Sequence, residues 1–124
     1  MPKINVVLYK EDDETIPLLD WLRGLVPKAR AKCVARIIRL QQRGHELRRP
    51  EADYLRDDIY ELRIGLRRVN YRILYFFHGR TAAVLSHGLV KEGRVPPAEI
   101  EKAIVRKAKF ETDPEAHTYR LEVE

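Results

Sequence analysis

Three neighbouring segments of this chain each place an ionisable side chain inside a run of aromatic and aliphatic residues. They are residues 60–64 (Tyr-Glu-Leu-Arg-Ile), 71–77 (Tyr-Arg-Ile-Leu-Tyr-Phe-Phe) and 82–88 (Ala-Ala-Val-Leu-Ser-His-Gly). Their composition predicts three consecutive β-strands. A charged group in a central strand must face water, a partner charge or a ligand, because burying it unpaired is costly. Cationic and acid/base groups gathered on one sheet face are what a protein needs to bind and cleave a phosphodiester.

Cleaving RNA without a metal requires that a 2′-hydroxyl lose its proton, that charge on phosphorus be stabilised, and that the leaving 5′-oxygen be protonated. Arg72 and Arg63 suit the second task, because a guanidinium stays charged and its planar fork matches two phosphate oxygens. Glu61, ionised beside two arginines, is a candidate proton acceptor. His87, with an ordinary pKa of about 6.5, is a candidate acid or base. The alternatives are a salt bridge from Arg72 to Glu61 that only joins the strands, and a histidine satisfied within the sheet.

The residues before these three strands predict a first strand followed by two helices. Residues 4–9 are a short β-branched run. Thr15 offers a helix cap and Pro17 a first helical position, and a second helix runs from Pro27 to a stop at Gly44. The two helices predict a hairpin that covers one side of the sheet, with the apolar residues Leu18, Leu19, Trp21, Leu22, Leu25, Cys33, Val34, Ile37, Ile38 and Leu40.

The rest of the chain predicts a small α+β fold of the order β-α-α-β-β-β-α. Residues 45–58 are predicted to be a polar connection. The short links at 65–68 and 78–80 make the three following strands antiparallel. Pro96 and Pro97 open a last helix. We expect one domain over residues 4–110, followed by 111–124 as an acidic tail or an extra edge strand with the alternating residues His117, Tyr119, Leu121 and Val123.

Charge is distributed unevenly along the chain, whose formal net charge is +5. Residues 23–49 contain nine basic side chains and one acidic one, whereas acidic clusters lie at 11–14 and 111–124. This separation favours a polyanionic partner on one surface, and a solvated arginine-rich helix face is the alternative. The sequence has no apolar segment long enough to suggest a signal peptide or a membrane span, so we expect a cytoplasmic protein. The single cysteine, Cys33, is expected in the core.

Four segments together carry a family resemblance. They are 55–63 (Leu-Arg-Asp-Asp-Ile-Tyr-Glu-Leu-Arg), 69–77 (Val-Asn-Tyr-Arg-Ile-Leu-Tyr-Phe-Phe), 85–91 (Leu-Ser-His-Gly-Leu-Val-Lys) and 96–103 (Pro-Pro-Ala-Glu-Ile-Glu-Lys-Ala). With the helical hairpin, they resemble the RelE/HigB toxin superfamily, and within it the phage-derived Gp49-like branch. The resemblance implies the toxin of a type II toxin–antitoxin system, an endoribonuclease that cleaves messenger RNA on the ribosome without metal or cofactor. It also implies a cognate antitoxin, often of the helix-turn-helix type.

The resemblance also implies roles for individual residues. Arg72 matches an arginine that holds the scissile phosphate, Arg63 a strand lysine or arginine, and Lys91 the first of two lysines, the second being Glu92 here. The predicted catalytic residues are Arg72, Arg63, His87, Glu61 and Lys91. The predicted RNA-binding residues are Arg67, Arg68, Arg94, Tyr71, Arg48 and Arg49, with further docking by Arg30, Arg36, Arg39 and Arg43. Aromatic candidates for base stacking, with core packing as the alternative, are Tyr60, Tyr71, Tyr75 and Phe76.

A second reading belongs to a different class: a non-catalytic prophage protein of the RelE fold that binds an antitoxin or RNA without cleavage. Glu92, and the lack of a tyrosine after Lys91, support it.

Overall fold

A six-stranded sheet lies between two helical layers in the computed structural model, which describes residues 3–120. The elements are β1 (Asn5–Tyr9), α1 (Pro17–Arg23), α2 (Pro27–Arg43), β2 (Ala52–Arg56), β3 (Ile59–Leu66), β4 (Val69–His78), β5 (Ala82–Val90), α3 (Pro97–Thr112) and β6 (Thr118–Tyr119). The strand order is β2-β3-β4-β5-β1-β6, with β1 parallel to β5 and the other pairs antiparallel. The predicted α+β class is confirmed.

The helical hairpin (α1 and α2) covers one face of the sheet, as predicted, but Val34 and Ile38 of its predicted apolar side are exposed. Its buried side chains, including Leu22, Cys33 and Leu40, pack with sheet residues such as Leu62 and Ile73. Burying such apolar side chains supplies most of the driving force for folding. α3 covers part of the opposite face, where Ile100, Ala103 and Phe110 pack with Val7, Leu74, Phe76 and Val84.

The N-cap of α1 differs from the prediction, whereas the helix begins at Pro17 and ends before Gly24 as expected. Ile16 occupies the N-cap position and gives no side-chain hydrogen bond, whereas Thr15 bonds to Asp13 at 2.7 Å. At the other end, the Arg30 guanidinium donates to the carbonyl groups of Leu22 and Leu25 at 3.0 and 2.9 Å. The Leu22 carbonyl also accepts from the Leu25 N–H at 3.1 Å, and the Leu25 carbonyl lies just beyond the end of α1, where regular helical partners are missing. Arg30 therefore joins the two helices of the hairpin, which is a structural role.

The stretch 45–58, predicted as a polar connection, contains an additional strand. β2 pairs with β3 through Ala52↔Leu62, Asp53↔Glu61 and Tyr54↔Tyr60. As an edge strand it has few fully buried side chains, so its apolar signal is weak.

The turn between β3 and β4 is tighter than predicted, because β3 continues through Gly65 to Leu66. Its two central residues, Arg67 and Arg68, have positive φ angles of 51° and 69°. Two consecutive positive φ angles are typical of a type I′ hairpin turn, which normally selects Asn-Gly.

The segment after α3 packs against the first strand. Of the two alternatives for this segment, an edge strand forms at Thr118–Tyr119, which pairs with Leu8 and Tyr9. The buried His117 ring stacks on Tyr9 with centroids 5.1 Å apart. The alternating residues Leu121 and Val123 lie outside the described residues.

None of the helices within 3–120 has the length and apolar content needed to cross a membrane.

Candidate functional site

Arg63 and Arg72 face each other on adjacent strands and are called here the arginine pair. The N–H of Arg63 donates to the Glu51 carbonyl at 2.9 Å, and its own carbonyl accepts a hydrogen bond from Arg36. Both backbone groups therefore point away from β4. In such a non-hydrogen-bonded pair, opposed side chains approach each other most closely.

Glu61 supplies the counter-charge for the arginine pair. It precedes Arg63 by two residues and so lies on the same sheet face. One carboxylate oxygen accepts from Arg72 Nη1 at 2.9 Å, and the other lies 3.8 Å from Arg63 Nε. The anticipated ion pair between Arg72 and Glu61 thus exists and is buried, with exposures of 6% and 3%. Because one carboxylate serves two guanidinium groups, a positive charge remains, and opposed like charges destabilise a sheet.

An open groove of about 740 Å³ adjoins the arginine pair and is called here the basic groove. Arg72 and Glu61 contribute to its lining, together with β2 and the segment between β5 and α3. Its remaining lining residues are Arg49, Asp53, Tyr54, Leu55, Arg56, Lys91, Arg94, Val95, Pro96, Pro97 and Ile100. Five cationic side chains against two carboxylates make it a site for an anionic ligand.

Within residues 3–120, only some of these cations lack an anionic partner. Arg49 pairs with Asp53 at 3.0 Å, and Arg56 pairs with both Glu101 and Asp57. Hydrogen bonding to Arg49 lowers the pKa of Asp53, which keeps that carboxylate ionised. Lys91 and Arg94 form no ion pair with a described residue, and both are exposed. Lys91 and Arg94 are therefore the cations of the groove that an anionic ligand can contact without displacing a described carboxylate.

A second hollow, of about 370 Å³, lies on the other side of the arginine pair. Arg63 and Arg72 line it together with Arg36, Pro50, Ile64, Gly65, Asn70 and Tyr71. Tyr71 is 9% exposed and packs edge-to-face against Trp21, so only a small part of its ring reaches this hollow. Arg72 thus lines both openings, whereas Arg63 lines only this second hollow.

His87 does not line the basic groove and belongs to a separate hydrogen-bonded chain under α3. Its Nδ1 is 2.7 Å from Ser86 Oγ, and its Nε2 is 2.9 Å from Glu99 Oε1. Ser86 in turn accepts a hydrogen bond from Arg106 at 3.3 Å. Burial, with the nearby positive charge of Arg106, lowers the pKa of His87 to about 4. The ring is therefore neutral at neutral pH and both nitrogens are engaged, an arrangement that favours a structural role.

A β-bulge makes this arrangement of neighbours possible. His87 pairs with Leu74 while Leu85 pairs with Tyr75, which leaves Ser86 as an extra residue. In a regular strand, Ser86 and His87 would point to opposite faces, whereas a bulge re-aims one of them.

Gly88, the next residue, is required by packing. A Cβ built there would lie 2.2–2.5 Å from ring atoms of Trp21.

Most of the helix arginines predicted to dock on RNA make contacts within the protein. Arg39 forms a two-point pair with Glu51 at 2.8 Å, and Arg36 bonds to the Arg63 carbonyl. Arg48 is exposed and donates to the carbonyl of His45. The basic character of residues 23–49 is therefore partly neutralised by the fold. By contrast, Arg67 and Arg68 project at an exposed turn.

Tyr54 is a groove residue that sequence reasoning missed. It is 50% exposed and lies on β2, the strand that was not predicted. The aromatic candidates Tyr75 and Phe76 are 1% and 0% exposed, which confirms core packing for them. In the sequence, β2 was indicated only by the alternation of Ala52 and Tyr54 with polar residues.

Within residues 3–120, no three His, Cys, Asp or Glu side chains are grouped to hold a metal ion.

Comparison with known families identifies the chain at the family level. The family model described as "Phage derived protein Gp49-like" matches residues 20–108, a span that contains the arginine pair and the basic groove. No curated protein matches the chain significantly. The matched span exceeds half of the 124 residues, and the chain therefore belongs to the phage-derived Gp49-like protein family.

Proposed function

We propose that the protein is the toxin of a type II toxin–antitoxin system and acts as an endoribonuclease on messenger RNA in the cytoplasm. One observation carries the proposal: two arginines face each other with a single carboxylate between them, beside an open basic groove. The resemblance to RelE/HigB toxins supplies the metal-independent chemistry, the ribosome as the place of action, and the antitoxin as partner.

The arginine pair is suited to hold the scissile phosphate. Arg72 gives one N–H group to Glu61, which leaves other guanidinium donors for a ligand in the groove that it lines. Arg63 has a side chain that is 40% exposed and lines the neighbouring hollow with Arg72, so a strand that extends from the groove into that hollow would contact both arginines. Fixed cationic donors aimed at the phosphoryl oxygens stabilise the additional charge of a pentavalent phosphorus.

Glu61 and Lys91 are suited to the two proton transfers. A phosphate that binds the arginine pair releases the Glu61 carboxylate, which then accepts the 2′-hydroxyl proton. The 2′-oxygen attacks phosphorus, the bond to the 5′-oxygen breaks, and Lys91 protonates that oxygen. The products are a 2′,3′-cyclic phosphate and a 5′-hydroxyl, and solvent returns the proton from Glu61 to Lys91. His87 holds its neighbours and takes no part in this scheme.

The test compares growth and RNA cleavage after expression of the wild type and of Arg63→Ala, Arg72→Ala and Arg80→Ala. Arg63→Ala leaves the buried Arg72–Glu61 pair in place, so its fold is expected to survive. Arg80→Ala removes an exposed arginine in the β4–β5 turn and is the matched control for lost charge. We expect the wild type and Arg80→Ala to arrest growth and cleave ribosome-bound messenger RNA. Folded variants lacking Arg63 or Arg72 that remain equally toxic would show the mechanism to be wrong.

A second candidate is a binder that no longer cleaves RNA. The buried Arg72–Glu61 pair favours it, because such a pair also forms where an arginine only joins two strands. Harmless accumulation of the wild type, combined with RNA or antitoxin binding, would select this candidate over the nuclease.

A further inference from the structure

Aromatic side chains gather on the face of the sheet that the helical hairpin covers. Tyr60 and Tyr75 are cross-strand partners whose rings stack with centroids 5.5 Å apart. Tyr54, the partner of Tyr60 on β2, contacts the Tyr60 ring edge-to-face at 5.1 Å. Because side chains alternate along a strand, Glu61, the next residue of β3, points to the opposite face with the arginine pair. These tyrosines and the arginine pair therefore lie on opposite sides of the sheet.

The helical hairpin leaves one end of this face accessible. α2 ends at Arg43, and a short 3₁₀ helix follows. His45 of this 3₁₀ helix places its ring on Phe77, with centroids 3.8 Å apart. Beyond that contact, Tyr54 is 50% exposed and Tyr60 is half-buried. The two tyrosines therefore keep ring surface that a ligand can reach.

A hollow of about 620 Å³, called here the aromatic hollow, adjoins these two tyrosines. Arg48, Arg49 and Asp53 line it with them. Arg49 pairs with Asp53, whereas Arg48 is exposed and forms no ion pair with a described residue. Burial raises the pKa of Tyr60, and the positive charge of Arg48 opposes that rise, which places the guanidinium near the Tyr60 hydroxyl. The hollow thus combines aromatic rings with a cation that is available to a ligand.

The aromatic hollow and the basic groove adjoin each other across the edge of the sheet. Arg49, Asp53 and Tyr54 line both openings, and β2 is the edge strand. Unpaired bases stack on aromatic side chains, and a guanidinium matches the oxygens of a phosphate. A nucleotide would therefore use both the rings and the cation, whereas an acidic peptide would use the cation alone.

We propose that the aromatic hollow binds a nucleotide of single-stranded RNA beyond the cleaved linkage, with its base against Tyr54 and Tyr60 and its phosphate at Arg48. The proposal rests on the proposed function, because the strand that fills the basic groove continues over β2 into this hollow. The bound nucleotide lies on the opposite side of the sheet from the phosphate held by Arg72. It therefore contributes to affinity and not to the chemical step, and only RNA long enough to cover both openings uses it.

Binding of uncleavable RNA of increasing length tests the proposal. The probes are fluorescent single-stranded RNAs with 2′-O-methyl riboses, which lack the attacking hydroxyl. The proteins are the wild type, Arg48→Gln, Arg48→Lys, Tyr54→Leu and Tyr54→Phe. The control, Arg23→Gln, removes an exposed arginine that lies before α2, at the other end of a helix about 25 Å long. Thermal unfolding of each variant shows which of them remain folded.

We expect the shortest probes, which fill only the basic groove, to bind all these proteins equally. With longer probes the wild type should gain affinity, and Tyr54→Leu should bind them about 5- to 150-fold more weakly, the range that corresponds to losing one aromatic–base stack. Arg48→Gln should also bind the longer probes more weakly and with a smaller salt dependence, because it removes a phosphate contact. Arg48→Lys and Tyr54→Phe should retain most of the affinity, and Arg23→Gln should bind like the wild type.

A single abasic position, moved along the longest probe, locates the nucleotide in the hollow. At that position the missing base should weaken the wild type strongly and Tyr54→Leu little, because both changes remove the same contact.

Equal binding of the longest probe by the wild type, Arg48→Gln and Tyr54→Leu would overturn the inference. A wild-type affinity that does not rise with probe length would do the same, and so would variant losses of equal size for the shortest and longest probes. Binding of a Glu-Tyr copolymer through Arg48, without binding of the longest RNA, would overturn it in favour of a protein partner. Length-dependent RNA binding through Arg48 and Tyr54 by a protein that cleaves no messenger RNA would instead contradict the nuclease proposal alone.

Discussion

Replacing Glu61 by glutamine should leave two opposed guanidinium groups without a shared carboxylate. Glu61 and Arg72 have side chains only 4% and 8% exposed, so water screens their interaction weakly. Two unit charges about 4 Å apart interact by about 4 kcal/mol at an effective dielectric constant of about 20. Removing one member of a buried pair costs about 3–5 kcal/mol. Glutamine still accepts a hydrogen bond from Arg72, so we expect Glu61→Gln to lose about 3 kcal/mol.

Urea unfolding in chloride and in phosphate buffers measures this loss and its recovery. In Glu61→Gln, the neutral amide competes less strongly than the carboxylate does with phosphate for the two guanidinium groups. A ligand at 100 times its Kd stabilises a protein by about 2.7 kcal/mol. Phosphate should therefore restore most of the lost stability in the variant and add little to the wild type, whose carboxylate already occupies this position. Glu101→Gln, which removes an exposed partner of Arg56, is the matched control and should change little.

An internal check comes from the double variant Glu61→Gln/Arg72→Gln. It removes the opposed charges as well as the carboxylate, so it should be more stable than Glu61→Gln alone. The reasoning fails if Glu61→Gln unfolds at the same urea concentration as the wild type. It fails equally if phosphate stabilises the wild type and the variant by the same amount, since the anion would then bind elsewhere.

Three further predictions concern stability. Gly88→Ala places a Cβ against the neighbouring tryptophan ring and should lower the free energy of unfolding in urea by about 3 kcal/mol. The control is Gly65→Ala, whose Cβ would lie 4.0 Å from its nearest neighbour and should lower it much less. The folded-state pKa of His87, about 4, lies below its ordinary value, so the unfolded chain binds the proton first as pH falls. Stability should therefore decline from about pH 6.5 to about pH 4 in the wild type, and less steeply in His87→Gln; parallel pH profiles would contradict this. The double variant Arg67→Asn/Arg68→Gly places residues that favour positive φ angles in the β3–β4 turn, so it should raise the thermal unfolding midpoint. Because it also removes two exposed cations, it should weaken RNA binding. An unchanged midpoint would show that the turn is unstrained.

The charged residues of the two central strands could be predicted because their surroundings are strongly β-forming. Period-two alternation places Glu61 and Arg63 on one face, and antiparallel pairing brings Arg72 opposite Arg63. The family resemblance added Lys91, which the structure places along the same groove.

Other parts of the site depend on long-range geometry that a pattern does not carry. β2 is an edge strand with weak alternation, so it was missed together with Tyr54. The bulge at Ser86 and the distant Glu99 determine the surroundings of His87. The charge of Arg39 looked available in sequence because its partner, Glu51, is twelve residues away.

Glu61 has a consequence for ligand choice. Under the proposed function, the wild-type site contains its own resident competitor, since a carboxylate occupies the position that a phosphate must take. A small free anion has only the two guanidinium groups with which to displace it. A polymer brings additional contacts along the groove, and these supply the free energy of displacement. Under the proposed function, free phosphate should therefore bind this site weakly, whereas a nucleic-acid strand displaces Glu61.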